Sequence, residues 1–558
     1  MFKGMTMTAK SYIEKAIREI AKSLYAAEGI DFKVERPPEG AAADYAVNAP
    51  FLLSKMMKKA PMVIGGEMAL ALTAYENVER VENVKGYLNI TLKSEYYKKL
   101  IDTLLSEESF FKNSLGQGKK INLEFVSANP VGPLNIVSGR AASYGDTLGK
   151  ILNLSGYKVN TEFYVNDFGR QMTLFTQTVE ARYAHLLGLE AHLPEEGYKG
   201  DYVIAVAQAL KDARGEKLFD MDASARAAII KEFSLGYMLH SQKETLKKFC
   251  VHFDLWFLES SLYENEKKVN ETELIFQAIS AKGYFYENEG AIWFRTTDFG
   301  DDKDRVVKKQ DGAFTYFMSD IAYMANKKNR GFDYIFNIMG PDHHGYISRL
   351  EAIIQALGYD KNDLKVILLQ QVNLLNEGEK MKMSKRAGQF VSLDDLIAAV
   401  GVDAARYYFL MRNYNSHLDF DVALAMEKTD NNPVFYVQYA FARLCSVFKH
   451  AIETGVDINS MDFHAVKFET LEKEEKALLL EMIDLPAAIK EAALKYSPSV
   501  LVQYTFDMVS KFHTFYAKCR VITDDAQTTA KRLYLLKALK KSLTVAFKIM
   551  GITPVESM

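Results

Sequence analysis

Four cations lie within seven residues in Lys380-Met381-Lys382-Met383-Ser384-Lys385-Arg386. Positive charge at this density can grip a polyphosphate, because nucleotidyl transfer gathers negative charge in its transition state. A solvated lysine-rich turn would have the same composition, so the run alone does not decide. A second candidate is Ser127-Ala128-Asn129-Pro130-Val131-Gly132-Pro133-Leu134-Asn135-Ile136-Val137-Ser138. Two prolines and a glycine make it a loop, and taken alone an ordinary connection explains it as well. Asp342-His343-His344-Gly345 offers adjacent imidazoles. No third ligand follows at a recognisable spacing, so no bound protein metal is expected.

These motifs need elements to hold them. Ile121, Leu123 and Phe125 alternate as in a strand. After the loop, Ala141, Tyr144, Leu148 and Ile151 share one helical face, and Gly156 ends the helix. Val159, Phe163 and Val165 suggest the next strand. This is a β–loop–α–β unit, the building block of parallel sheets. A second unit runs from Tyr334 to Val372: strand YIFNIMG, loop PDHHGY, a helix over about 347–357, and strand KVILLQQV. The stretch 172–290 between them is helix-rich and charged, and reads as an insertion. The sheet is therefore assembled from separated halves, as in doubly wound nucleotide-binding folds, where ligands sit beyond the carboxyl ends of the strands. The helix that follows the first loop would turn free N–H groups toward phosphates.

The flanks differ. The first ~95 residues read as a small mixed module. Ser11 and Glu14 have capping-box spacing ahead of Ile13, Ile17, Ile20 and Leu24. PPEG at 37–40 breaks the chain, and Leu88, Ile90 and Leu92 alternate. Beyond about residue 400 strands are no longer expected. A last helix over about 511–548 carries nine Lys/Arg against two Asp.

Composition bounds the reading. With 48% hydrophobic and 25% charged residues, the 558-residue chain is neither disordered nor of low complexity. A net charge of −3 excludes a uniformly basic coat but permits local basic faces. Cys250, Cys445 and Cys519 lie far apart, which favours a reducing compartment. No secretory h-region and no uncharged apolar run of about 18 residues is present, so a soluble cytoplasmic protein is expected.

The proline-glycine loop after the first strand and the lysine loop after the last, in that order, resemble the two signatures of class I aminoacyl-tRNA synthetases. EFVSANPVGPLN, EFYVNDFGRQ, FDLWFLESSLY, WFRTTDFGDDKDRVVKKQDG, YFMSDIAY, GPDHHGY, KMSKRAG and NPVFYVQYAFAR resemble the blocks of one family, the arginyl-tRNA synthetases. The resemblance covers nearly the whole chain. It implies an α/β fold with a Rossmann-like doubly wound catalytic domain, an α-helical C-terminal domain and a small α+β N-terminal domain. The expected boundaries are 1–100 for a module touching the tRNA elbow, 116–385 for the catalytic domain, 386–430 for a connecting stem and 431–558 for an anticodon-binding domain. The implied partners are ATP with Mg²⁺, L-arginine and tRNA(Arg). A monomer without a membrane anchor is expected.

Residue roles come with the resemblance. Lys382 and Lys385 would stabilise the adenylation transition state. Pro133, Asn135, Ser138, His343, His344, Lys382, Met383, Ser384 and Lys385 would line the ATP site. Asp320 matches a guanidinium-binding acid, and Tyr316 lies one helical turn earlier. Glu259 matches a second acidic contact. Asn129 matches the residue that holds the α-amino and carboxylate end. Ser127, Glu124 and Asp342 would support the same pocket. Tyr436, Gln438 and Tyr439, with Lys537, Lys540 and Lys541 of the basic last helix, would face tRNA. One departure stands out. The family usually shows His-Ile-Gly-His where this chain has Asn135-Ile136-Val137-Ser138. Asn135 and Ser138 offer neutral hydrogen bonds in place of imidazoles. The alternatives are a non-acylating RNA-binding paralogue, or a class I synthetase for another amino acid; the paired acids favour arginine.

Overall fold

Hydrophobic runs without polar alternation mark strands covered on both faces; Tyr334–Met339 is such a run apart from Asn337, whereas Lys120–Glu124 and Lys158–Val165 bury the polar Asn122 and Glu162. The computed structural model describes residues 7–38, 40–263, 269–380, 392–458 and 461–558. Its five-stranded sheet has the spatial order Leu364–Leu368, Tyr334–Met339, Lys120–Glu124, Lys158–Val165, Leu255–Leu258. All four pairings are parallel. The two halves run outward from the pair Lys120–Glu124 and Tyr334–Met339. The strand order reverses there, so the crevice for a ligand opens beyond Glu124 and Met339.

The helix Ile136–Leu154 covers the sheet at close range. A Cβ on Gly145 would lie 2.2 Å from the Phe125 ring, so only glycine permits this approach. The helix ends in the cap predicted near Gly156, which takes φ +86°.

Several expectations need correction. The stretch 172–290 is not wholly an insertion: Leu255–Leu258 is an edge strand of the central sheet. Short length hid it, since four residues carry little periodicity. The segment KVILLQQV is divided between two sheets. Leu364–Leu368 stays in the central sheet, while Val372–Asn376 pairs with Leu418–Asp421. Strands therefore continue past residue 400. The first helix, Ala9–Tyr25, is capped by Thr8, whose hydroxyl accepts from the Ser11 N–H; Ser11 itself lies in the first turn. The basic C-terminal stretch forms two helices, Ser499–Lys518 and Ala526–Met550, the second capped by Asp525.

The N-terminal module holds a four-stranded antiparallel sheet in the order Val34–Glu35, Tyr45–Val47, Tyr87–Leu92, Val78–Val84. It docks on the C-terminal helices through buried charge. Arg36 pairs with Asp484 at 2.6 Å, Tyr45 donates to Asp484 at 3.1 Å, and Lys476 reaches Asp44 at 2.6 Å. Arg406, fully buried, ties three further segments together. It donates to the Met550 and Phe249 carbonyls at 2.8 and 2.9 Å and to Asp146 at 2.5 Å. Among the described residues no helix is long and apolar enough to cross a membrane.

Candidate active site

The strand Lys120–Glu124 delivers its chain into a strained exit. Val126 and Ser127 both take left-handed φ, +68° and +42°. The Ser127 N–H bonds back to the Phe125 carbonyl at 3.0 Å, closing a γ-turn around a β-branched residue. Such a conformation is costly and persists where surrounding contacts over-determine it. Those contacts are present. The Ser127 hydroxyl donates to Glu124 Oε1 at 2.9 Å and accepts from the Tyr164 N–H at 3.1 Å. Gln242, buried on the helix Ala223–Lys248, donates to the Asn129 and Gly132 carbonyls at 3.2 and 2.9 Å. The Leu393 N–H holds the Leu134 carbonyl at 2.8 Å. The loop is fixed from three sides.

Asn135 then caps the helix Ile136–Leu154. Its Oδ1 accepts from the Ser138 N–H at 2.8 Å and the Ser138 hydroxyl at 3.0 Å. Asn135 and Ser138, the two ends of the Asn-Ile-Val-Ser element, thus bond to each other. Side-chain capping satisfies one of the helix's free donors and keeps the positive end of the dipole at the cleft.

The cleft itself has a volume of about 590 Å³, within the usual range for a small-molecule site. Ser127, Asn129, Asn135, Ser138, Asp320 and His343 line it, as the sequence suggested. Its floor carries a network that the sequence reading missed. Lys327 is 1% exposed; its ammonium pairs with Glu124 Oε2 at 2.5 Å and reaches Asn337 Oδ1 at 3.2 Å. Asn337 and Glu124 are cross-strand partners at the point where the strand order reverses. The clue was available: Lys327 lies seven residues after Asp320, two turns along one helical face.

The acids behave as a pair. The turn Glu259–Leu262 is anchored by Asp167, which accepts from the Ser260 N–H and hydroxyl at 2.9 and 2.6 Å. Glu259 is 2% exposed, beside the Tyr164 and Ser319 side chains. Burial pushes its carboxyl up to about 7, helped by the charge of Asp167. Asp320 is pushed up to about 7, first by burial and then by the negative charges of Glu259 and Glu124. The Tyr346 hydroxyl donates to Asp320 and opposes that shift. Two crowded, poorly solvated carboxyls of this kind favour a cation between them.

Other residues fall elsewhere. Pro133, Asp342 and His344 are exposed and lie outside the cleft lining. Tyr316 is 59% exposed, its hydroxyl 2.7 Å from where a Gly169 Cβ would sit, and it also lies off the lining. Lys382, Met383, Ser384 and Lys385 lie outside the described residues. In the C-terminal helices, Tyr436 packs on the rings of Phe506 and His513 at 5.1 and 4.7 Å. Gln438 donates to Asp403 at 2.8 Å, and Tyr439 stacks on Phe435 at 5.9 Å. Those three are thus engaged within the fold. Lys537, Lys540 and Lys541 line, with Lys548, one groove of about 730 Å³ that Phe448 and Phe463 also border, although Lys540 pairs with Glu556 and Lys541 with Glu108, each at 3.4 Å.

Comparison with known proteins fits this arrangement. Three family models match: the arginyl-tRNA synthetase N-terminal domain over residues 7–92, the class I (R) tRNA synthetase catalytic domain over 100–421, and the DALR anticodon-binding domain over 437–558. The arginine–tRNA ligase of Bacillus velezensis is 41% identical over 530 residues, 94% of each chain. That of Carboxydothermus hydrogenoformans is 39% identical over 538 residues, 96% of each chain. A crystal structure described as a putative arginyl-tRNA synthetase from Campylobacter jejuni is similar, with a TM-score of 0.76 and 32% identity, over 84% of this chain and all of that one. Thermus thermophilus arginyl-tRNA synthetase shares the fold at a TM-score of 0.77 and 21% identity, over 99% of this chain and all of that one. With matching domains along its whole length and close relatives of one activity, the chain belongs to the arginyl-tRNA synthetase family.

Proposed function

We propose that the cleft at the strand-order reversal takes ATP and L-arginine side by side and joins them as arginyl-adenylate. The chain is an arginine–tRNA ligase, an enzyme that forms aminoacyl-tRNA. One observation carries the assignment of the site. Asp320, its carboxyl raised to about 7 by burial, lines the same cleft as the helix start at Asn135 and Ser138, and Glu259, raised likewise, lies behind that lining beside Tyr164, close enough for its charge to act on Asp320. A guanidinium beside the acids restores their charge and donates bidentate hydrogen bonds to the carboxylate oxygens. The nucleotide phosphates face the helix N-terminus.

In this reading the arginine carboxylate attacks the α-phosphorus in line. The bond to the bridging oxygen of the β-phosphate breaks, and pyrophosphate leaves. No general base is needed, since the attacking group is already ionised near neutral pH. Lys382 and Lys385 stabilise the charge that develops, and His343 borders the nucleotide. Mg²⁺ enters as part of the substrate, held by the phosphates. The described carboxylates of the cleft fit that role, because Glu124 is occupied by Lys327 and Ser127, and Asp320 by Tyr346. The terminal ribose hydroxyl of tRNA then attacks the arginyl carbonyl, and AMP leaves. The chain acts as a monomer. Aminoacylation of tRNA with labelled arginine tests the whole reading. No ester formed, or equal pyrophosphate exchange with a neutral amino acid, would sink it.

The groove of Lys537, Lys540 and Lys541 is assigned to tRNA phosphates. Truncation is a poor test: Arg406 bonds the Met550 carbonyl, so removing 431–558 opens the catalytic core. Replacing all three lysines with Ala is better. Affinity for tRNA should fall ~10–100-fold at low salt, and the slope of log K against log salt should shrink by about one per lost contact. Filter binding across a salt series measures both; an unchanged slope removes the groove from the tRNA path.

A further inference from the structure

The two candidate phosphate-binding signatures are far apart in sequence, and one side chain physically joins their supports. Arg140 lies in the second turn of the helix that Asn135 caps. Its side chain is fully buried, yet among the described residues no carboxylate meets it. It donates instead to four main-chain carbonyls: Gln370 at 2.5 Å, Gln371 at 3.4 Å, Asn413 at 3.1 Å and Ser416 at 3.1 Å. Its Nε has no partner in the structure. Burial without a counter-charge pulls the guanidinium down to about 10. Leaving a cation so poorly compensated costs stability, and a leucine or methionine of similar volume would avoid the charge.

The bonded carbonyls explain what the cation does. Gln370 and Gln371 immediately precede the strand Val372–Asn376, which turns back through Glu379–Lys380. In sequence, the next residues are the lysine run. Asn413 and Ser416 precede Leu418–Asp421, the parallel partner of that strand. A second set of bonds closes the same junction: Gln370 N–H to Tyr414 carbonyl at 2.9 Å, and Leu418 N–H to Gln371 carbonyl at 3.1 Å. The planar fork of Arg140 is the only side chain among these contacts that reaches both strand entrances from the capped helix. Among the described residues, no hydrogen bond of Arg140 touches Asp320, Glu259 or the elements carrying them.

We propose that Arg140 is a positioning residue that fixes the strand pair Val372–Asn376 and Leu418–Asp421 against the Asn135–Ser138 helix start, and so sets the geometry of the ATP half of the site alone. The inference rests on the placement of ATP at that helix start.

The test is Arg140→Lys, measured by tRNA-dependent ATP–pyrophosphate exchange. A lysine keeps the charge but cannot span both strand entrances. KM for ATP should rise at least ~10-fold and kcat should fall, while KM for arginine stays within about twofold. KM is independent of the fraction of chains folded, so partial unfolding lowers the amplitude without producing this split. Asn135→Ala is the companion variant. If it raises KM for ATP and Arg140→Lys does not, the positioning role is overturned and the ATP site stands. If neither moves KM for ATP, the placement of ATP falls and the positioning role with it. Parallel rises in both KM values for Arg140→Lys would also overturn the proposal, because they mark a general structural loss.

Discussion

Asp320→Asn lowers kcat/KM for arginine by ~10²–10³-fold, as expected when one partner of a desolvated charge pair is removed. Most of the loss appears in KM, because the guanidinium lies away from the bond that forms. The same substitution stabilises the unliganded protein above neutral pH. The sign follows from linkage. The folded carboxyl titrates near 7 instead of near 3.8, so the folded state holds a proton that the unfolded chain has released. Stability from this group is therefore full below pH ~4, falls as pH rises toward 7, and stays low above it. An asparagine removes that fall, worth on the order of 4 kcal/mol at pH 8. Thermal melting at pH 5 and pH 8 reads it directly. A variant with an ordinary KM, or one less stable than the parent at pH 8, contradicts the assigned pocket.

The acids also give the reaction a pH signature. Arginine binds the ionised pair, so kcat/KM for arginine declines as pH falls below about 7. At saturating arginine the ligand itself holds both carboxyls ionised, and kcat loses that inflection. Binding in this range releases protons, which calorimetry in buffers of different ionisation enthalpy detects.

How much of this was legible beforehand depends on whether a residue's role is local. The β–loop–α–β units announced themselves, because alternation and helical spacing are short-range signals. The strand Leu255–Leu258 did not, since a four-residue edge strand has no period to read. Ser127, Asn129, Asn135, Ser138, Asp320 and His343 were found through motifs and do meet in one cleft. Lys327, Gln242 and Arg140 were missed for a common reason. Their partners lie across the fold, 203, 113 and 230 residues away; only Lys327 had a nearby pointer, its place two turns beyond Asp320, and nothing in sequence pairs it with Glu124. Tyr436, Gln438 and Tyr439 show the converse. A motif drew attention to them, but each side chain has partners within the protein.

Lys385→Ala lowers the rate of tRNA-dependent ATP–pyrophosphate exchange by ~10²–10³-fold with little change in tRNA affinity. The argument is one of charge supply. Asn135 and Ser138 at the helix start are neutral, and Asn135 Oδ1 is already used in capping. Lys327, the buried cation of the cleft floor, is committed to Glu124. On the proposed placement of the nucleotide, the lysine run and the helix dipole, the latter equivalent to roughly half a unit charge, are left to supply positive charge at the phosphates. Removing one lysine thus takes away a larger share of the stabilisation than it would beside imidazolium groups. Restoring Asn135→His in the Lys385→Ala background should recover part of the rate below pH ~6.5, where an imidazole is charged. Unchanged exchange in the single variant would show that the lysine run does not touch the reacting phosphates. Recovery independent of pH would show that the added side chain acts by shape and not by charge.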